Sequence, residues 1–339
     1  MITAIGPNAA NSAVTSRRWQ SVWRDAIVDP CTLLEALGLA DQASTLLPGR
    51  ETGFAMRVPR GFVARMRFGD ATDPLLLQVL PQAAELLDRL GYAADPVGDG
   101  AAKVADGVIH KYEGRALLVA TGSCAINCRY CFRRHFPYAD ETASASSWRS
   151  ALTFLRSEPS ISEVILSGGD PLSLSTSKLA EFTDALSALP QVRRLRIHSR
   201  LPIVLPERID DELLAWLAGT PLQKTLVVHA NHGNEIDESV RVACARLRLV
   251  GVTLLNQSVL LRGVNDSVEA LADLSENLID AGVVPYYLHQ LDRVCGAAHF
   301  EVDDDVARHL VEGLRSRLPG YLVPRLVREI AGEVSKTPI

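Results

Sequence analysis

The chain has 339 residues, 47% of them hydrophobic, enough for one large α/β domain with additions or for two domains. Its formal net charge of −5 gives no sign of a nucleic-acid or membrane-facing surface. Residues 1–16 lack a basic segment followed by an apolar one, and no apolar run is long enough to cross a bilayer, so a cytoplasmic location is expected.

Residues 1–105 read as a mainly helical N-terminal region. WQSVWRDAIVDPCTLLEALGL (19–39) predicts two short helices divided near Pro30. DPLLLQVLPQAAELLDRLGY (73–92) predicts a helix, from its Asp-Pro start, its one-faced apolar spacing and Gly91 as a stop, with Pro81 as a kink. DPVGDGAAKVADG (95–107) is rich in Gly, Asp and Ala and predicts a connector. Over residues 106–300 the pattern changes. Short apolar runs alternate with helical segments: ALLVA (116–120), EVILS (163–167), LRIHS (195–199), TLVVH (225–229), VTLLNQ (252–257) and PYYLHQ (285–290). After the first pair they recur about every 30 residues, the unit length of a β/α barrel, so a partial barrel and an open parallel sheet both fit. Residues 301–339 read as a C-terminal extension.

Polar residues gather where these runs end. They are Ser167 to Asp170, then His198 to Arg200, then His229, Asn231 and His232. Asn256 to Ser258, His289, Gln290 and Asp292 follow. In a barrel such ends converge on one face, where active sites lie. Polar strand exits are common, but that accounts for one or two of these and not for the whole series.

The first run leads into TGSCAINCRYCFRRHF (121–136), which holds Cys124, Cys128 and Cys131, half of the six cysteines. Six are too few for a disulfide framework, and clustered thiols in a reduced chain point to metal or redox work. Cys31, Cys244 and Cys295 have no partners in sequence and are expected as small buried hydrophobes. Three thiolates spaced C-x3-C-x2-C suit a four-iron cluster with one iron left open, or a structural zinc completed by His135.

SCAINCRYCFRRHF resembles the cluster loop of the radical S-adenosylmethionine (SAM) superfamily, and SGGDPL (167–172) resembles its Gly-Gly-acidic segment. Further segments narrow this: HKYEGRALL (110–118), SRLPIVLPERI (199–209), HANHGNEI (229–236) and NQSVLLRGVND (256–266) resemble the lysine 2,3-aminomutases. So do YYLHQLDRVCGAAHF (286–300) and PGYLVPRLVREIAGEVSKTPI (319–339), and the likeness covers about residues 50–339.

The resemblance implies an α/β fold: a partial (β/α)6 barrel of radical SAM type, with an N-terminal helical region and a C-terminal extension. It implies a [4Fe-4S] cluster on Cys124, Cys128 and Cys131. It places SAM near Gly168, Gly169 and Asp170, with the nucleoside at His229 and Gln257. Lys336, which taken alone reads as a solvated surface charge, matches the lysine that carries pyridoxal 5′-phosphate (PLP). Lys111 and Arg115 match the positions for its phosphate, though the family pattern has arginine at the first. A lysine there keeps the charge and loses the bidentate fork. Arg133 matches the arginine for the substrate α-carboxylate, with Arg134 a neighbouring basic position. Asp292 and Glu329 match the acidic pair for the ε-ammonium of lysine, although the degradative members carry aspartate at the second position. Two carboxylates favour a cationic side chain over glutamate.

The implied reaction moves the amine of L-lysine from C2 to C3. The sequence resembles the short form of the family, whose (R)-β-lysine is attached to elongation factor P by a separate ligase. An electron donor such as a flavodoxin is implied, and a homo-oligomer stays open. The alternatives are an aminomutase for another amino acid such as arginine, a PLP-independent radical SAM enzyme, and a zinc-stabilised binding protein without chemistry.

Overall fold

The computed structural model describes residues 18–138, 142–146 and 148–339, and the reading of residues 1–16 for a leader lies outside them. Ten strands lie side by side in chain order. They are β1 (Lys103–Ala105), β2 (Val108–Tyr112), β3 (Arg115–Thr121), β4 (Glu163–Gly168), β5 (Arg194–Ser199), β6 (Gln223–Val228), β7 (Thr253–Val259), β8 (Val284–His289), β9 (Arg325–Arg328) and β10 (Thr337–Pro338). Strands β3 to β9 are parallel, while β1, β2 and β10 pair antiparallel at the two edges. Parallel neighbours need a crossover, and a helix lies between each pair from Arg149–Ser157 to Asp304–Arg317. Ser175, Asp210, Asp237 and Ser267 cap four of these helices by accepting from first-turn amides.

The six expected strands are β3 to β8, each end within two residues. β9 is a seventh parallel strand that was not anticipated, because RLVR is short and charged at both ends. The strand period of two sorts side chains between faces. Leu118, Leu166, Ile197, Leu226 and Leu254 stand in register across β3 to β7 and sit in the main apolar core. Their neighbours Leu117, Ile165, Arg196 and His198 line an internal cavity instead.

The sheet is curled. Lys111 on β2 and Glu329 just beyond β9 stand 3.0 Å apart with six strands between them. In a flat sheet the same strands would stand roughly 30 Å apart at the usual strand spacing. The open-sheet alternative is therefore excluded, and a partial barrel remains.

The N-terminal region departs from expectation. The two short helices of 19–39 are present, Trp19–Arg24 and Pro30–Ala36, and Asp29 caps the second through the Thr32 amide at 2.7 Å. The helix expected over 73–92 is a single turn, Pro74–Leu77, followed by a separate 3-10 turn, Ala83–Leu86. Pro81 offers no amide to continue the helix, and Gln82 with Glu85 begins the second turn as a capping box. The region is thus short helices and turns rather than mainly helical. Leu33, Phe62 and Leu75 nevertheless share one apolar core with the barrel helices.

The expected connector carries β1 and an ordered turn. Both carboxylate oxygens of Asp95 accept amides, from Asp99 at 2.9 Å and Gly100 at 2.9 Å. That turn points the Asp99 side chain into the barrel, where Lys111 and Arg133 meet it.

Candidate active site

A cavity of about 660 Å³ fills the curl, and all fourteen residues singled out in the sequence for cluster, cofactors and substrate line it. The cysteine loop leaves β3 and is clamped from the N-terminal region. Arg129, fully buried, donates twice to Glu85 at 2.8 and 2.5 Å and once to the Phe54 carbonyl at 2.9 Å. Arg134 reaches the same Glu85 at 2.7 Å, so this basic position holds the loop. The Glu85 carboxyl stays below its ordinary range: burial raises it, and the two arginines outweigh burial.

The thiols of Cys124 and Cys131 are both pushed up, first by burial and then by a neighbouring sulfur, Cys131 to about 11. Thiolates at Cys124 and Cys131 would need a positive charge between them, which a bound iron cluster would supply. Among the described residues no three Cys, His, Asp or Glu side chains stand close enough to share one metal ion. Cys124, Cys128 and Cys131 would therefore hold a multi-iron cluster, one iron to each thiolate, rather than a single shared ion. His135 is exposed, with Nε2 3.1 Å from the Cys295 carbonyl oxygen, so the zinc reading with His135 as fourth ligand does not fit. Of the other cysteines, Cys244 is buried as expected, Cys31 is exposed, and Cys295 lies between.

The Gly-Gly segment explains itself by contact with this loop. Gly168 has φ +115°, and a Cβ on Gly169 would fall 2.6 Å from the Ser123 carbonyl oxygen. The glycines let β4 touch the backbone of the cysteine loop, a close approach of chain to chain. Asp170 departs from the implied ligand role. Its oxygens already accept from Leu172 N at 3.0 Å, Ser199 Oγ at 2.7 Å, Arg200 N at 2.8 Å and Leu201 N at 3.1 Å. A carboxylate has about four acceptor sites, so none is left for an ammonium. Burial nonetheless carries its pKa up to about 6.

Across the cavity runs a chain of alternating charge. Asp99 accepts from Arg133 Nε at 2.7 Å and pairs with Lys111 at 2.7 Å. Lys111 also reaches Glu329 at 3.0 Å and the Val97 carbonyl at 2.8 Å, which uses its three donors. Glu329 then accepts from Lys336 at 2.6 Å. Burial alone would raise the Glu329 carboxyl, but Lys336 and Lys111 hold it at about 2. Thus Lys111 and Glu329, expected at phosphate and ammonium, are paired with each other. Among the described residues Arg133 keeps Nη2 without an acceptor, and Ser167 takes Nη1 at 3.1 Å. Asp292 has no side-chain partner among the described residues and rises to about 7, through burial first and Glu329 second.

Arg115 stacks on Tyr112 at 4.7 Å with Nε buried and unpartnered, a donor suited to a phosphate. His229 and Gln257 meet at 2.9 Å between Nε2 atoms. Burial, then Arg200, takes His229 down to about 3, so it is a neutral ring at physiological pH. His198 and His289 also line the cavity, each with an unpartnered Nε2 and a pKa driven far down chiefly by burial. Of the others read as part of the polar series, His232 and Gln290 bond within their own loops, and Asn256 bonds the Ala230 backbone at the exit of β6. Sequence reasoning missed Asp99 and gave Arg200 no role. Asp99 sits in a Gly- and Ala-rich stretch with no periodicity, whereas Arg200 was visible as the polar exit of β5.

A curled parallel sheet with three clustered cysteines after its first parallel strand, and a lysine from the chain's end in the same cavity, defines a barrel enzyme built around a thiolate-bound centre. No protein-family model matches the chain. The L-lysine 2,3-aminomutase of Escherichia coli (strain K12) is 51% identical over 95% of this chain and 94% of that one. The L-lysine 2,3-aminomutase of Haemophilus influenzae is 45% identical over 95% of each. That of Clostridium subterminale is 38% identical over 80% of this chain and 65% of its own. A radical SAM methyltransferase structure from Sphaerobacter thermophilus aligns with TM-score 0.46 at 17% identity, over 65% of this chain and 68% of that one. The chain belongs to the L-lysine 2,3-aminomutase family, a family of isomerases. Membership implies a [4Fe-4S] cluster, SAM and PLP as cofactors.

Proposed function

We propose that this chain is a PLP-dependent radical SAM aminomutase that converts L-α-lysine to (R)-β-lysine. The observation that carries the reading is that the cysteine loop and Lys336, from opposite ends of the sheet, open onto one cavity. Cys124, Cys128 and Cys131 would hold the cluster. Gly168, Gly169, His229 and Gln257 would shape the wall for SAM. Lys336 would hold PLP, with Arg115 and its free Nε at the phosphate and Lys111 as a second charge once released from Asp99. When bound, these groups supply an electron, hydrogen abstraction and a conjugated carrier for the migrating nitrogen.

The chain's own residues bind and orient. Arg133 offers Nη2 to the α-carboxylate while Asp99 and Ser167 fix the rest of its guanidinium. Asp292, unpaired, is the nearer match for the ε-ammonium, and Glu329 keeps the charge of Lys336 company until cofactor arrives. The lumen histidines stay neutral and add no charge. Enclosure within the curl keeps water from reactive centres.

The product's use in β-lysylation of elongation factor P, with a separate ligase and an electron donor such as a flavodoxin, is part of the same proposal. So is a cytoplasmic location; among the described residues no helix is long and apolar enough to cross a membrane. The test is anaerobic turnover of iron-reconstituted protein with PLP, SAM, a strong reductant and labelled L-lysine, beside Lys336→Ala. β-Lysine from the parent and none from the variant supports the proposal. SAM cleavage with lysine unchanged would retain the radical assignment and remove lysine as substrate; turnover of arginine in its place would name the alternative.

A further inference from the structure

Arg200 is 6% exposed, and its guanidinium lies against the cysteine loop. Nη1 donates to Cys128 Sγ at 2.7 Å. Nη2 donates to Gln78 Oε1 at 2.6 Å and to Glu235 Oε2 at 2.9 Å. The plane rests on Phe62 and Tyr130 at 5.5 and 5.8 Å. Each holding group is itself held. Glu235 Oε1 takes the Gln78 amide at 3.1 Å and the Asn231 backbone N–H at 2.9 Å. Asn231 Nδ2 donates to Gln78 Oε1 at 3.0 Å and Tyr130 Oη at 2.6 Å. Three parts of the chain thus fix one guanidinium on one sulfur. Burying a charged arginine is costly unless it is paired and bonded; both terminal nitrogens of Arg200 are bonded, while its Nε is buried without a partner among the described residues. A simple core would not need this assembly.

We infer that Arg200 is a positioning residue for Cys128, and that its fixed N–H and positive charge on that sulfur raise the reduction potential of the cluster bound there. This rests on the cluster assignment proposed above. Hydrogen bonds to cluster sulfurs and nearby charge are among the factors that set such potentials. Reduction adds one electron from the donor and leaves every bond in place. The extra negative charge spreads over iron and sulfur, so a donor on sulfur favours the reduced form.

The test uses the full-length chain loaded with iron and sulfide, without SAM or lysine. Wild type, Arg200→Met and Arg200→Lys are titrated with a calibrated low-potential reductant, and the reduced-cluster electron paramagnetic resonance signal is read. Arg200→Met should shift the midpoint to more negative potential. At a fixed poise the reduced-to-oxidised ratio should fall by about tenfold, the worth of one charge-assisted hydrogen bond. Arg200→Lys, which keeps charge without the fork, should lie between the two. An unchanged midpoint in a fully loaded Arg200→Met protein overturns the inference. If that variant does not take up iron, Glu235→Gln decides: leaving Arg200 without its counter-charge should move the midpoint positive, and no movement overturns the inference. A wild-type chain that binds no iron and sulfide sinks the cluster assignment itself, an outcome distinct from a loaded variant with an unmoved potential.

Discussion

Asp99 and Asp292 face the same cavity and are driven in opposite directions. Asp99 lies within 2.7 Å of both Arg133 and Lys111, which hold its carboxyl below the ordinary range even though burial raises it. A depressed folded pKa contributes stability that is present at neutral pH and lost as the pH falls through it. Asp99→Asn leaves Arg133 without a carboxylate and Lys111 with Glu329 alone, and is expected to lower the unfolding free energy by about 3 kcal/mol, measurable by urea denaturation. On the proposed role of Arg133 at the α-carboxylate, the lysine KM should rise too, because Arg133 loses its Asp99 partner. No side chain among the described residues bonds Asp292, burial and Glu329 outweigh the more distant Lys336 and Lys111, and it sits at about 7. A raised folded pKa favours the fold at low pH, a contribution gone once the pH passes about 7. Binding a cation requires the ionised form. Lysine affinity, measured by calorimetry, should therefore fall toward about tenfold per pH unit below that pKa. Asp292→Asn should flatten the profile and weaken binding at about pH 8, roughly one unit above that pKa.

At the scale of elements, the junction of β4 with the cysteine loop is the narrowest fit. A methyl on Gly169 would meet the Ser123 carbonyl oxygen at 2.6 Å, backbone that cannot swing aside. Gly169→Ala is expected to cost about 1–3 kcal/mol and to reduce iron loading, read as iron per chain beside a melting curve. The strands themselves were readable because each carries a short apolar run with a polar exit, and LRIHS on β5 alternates as well. The N-terminal helices were not. One-faced spacing over 73–92 promised a long helix, yet Gln78 and Glu85 turn inward to partner Glu235 and Arg129. Those partners lie far along the chain, so local spacing carries no trace of them. The same holds for Asp99, whose turn is set by Asp95 nearby but whose purpose is set by Lys111 and Arg133.

For the whole molecule, curling matters more than any single strand. It brings β2 to the residues beyond β9 and closes the charge chain from Arg133 to Lys336. The final segment adds little to the fold: β10 is two residues long, and Ile339 packs only at the margin of a minor apolar cluster. Removing residues 330–339 is expected to leave the circular dichroism spectrum intact and to cost ~1–2 kcal/mol, a shift of only a few degrees in melting temperature for a chain of this size. On the proposed role of Lys336, PLP retained after desalting should vanish, because that lysine goes with the segment. Sequence by itself determined the alternation of strand and helix, the three-cysteine loop and the family, since these rest on periodicity and on residue order. Only the tertiary structure decided that Asp170 is internally satisfied, that Asp99 and Glu329 pair with Arg133, Lys111 and Lys336, and that Arg200 sits on Cys128. Those are pairings between distant segments, and their distances are set by how the sheet curls and what packs behind it, not by spacing along the chain.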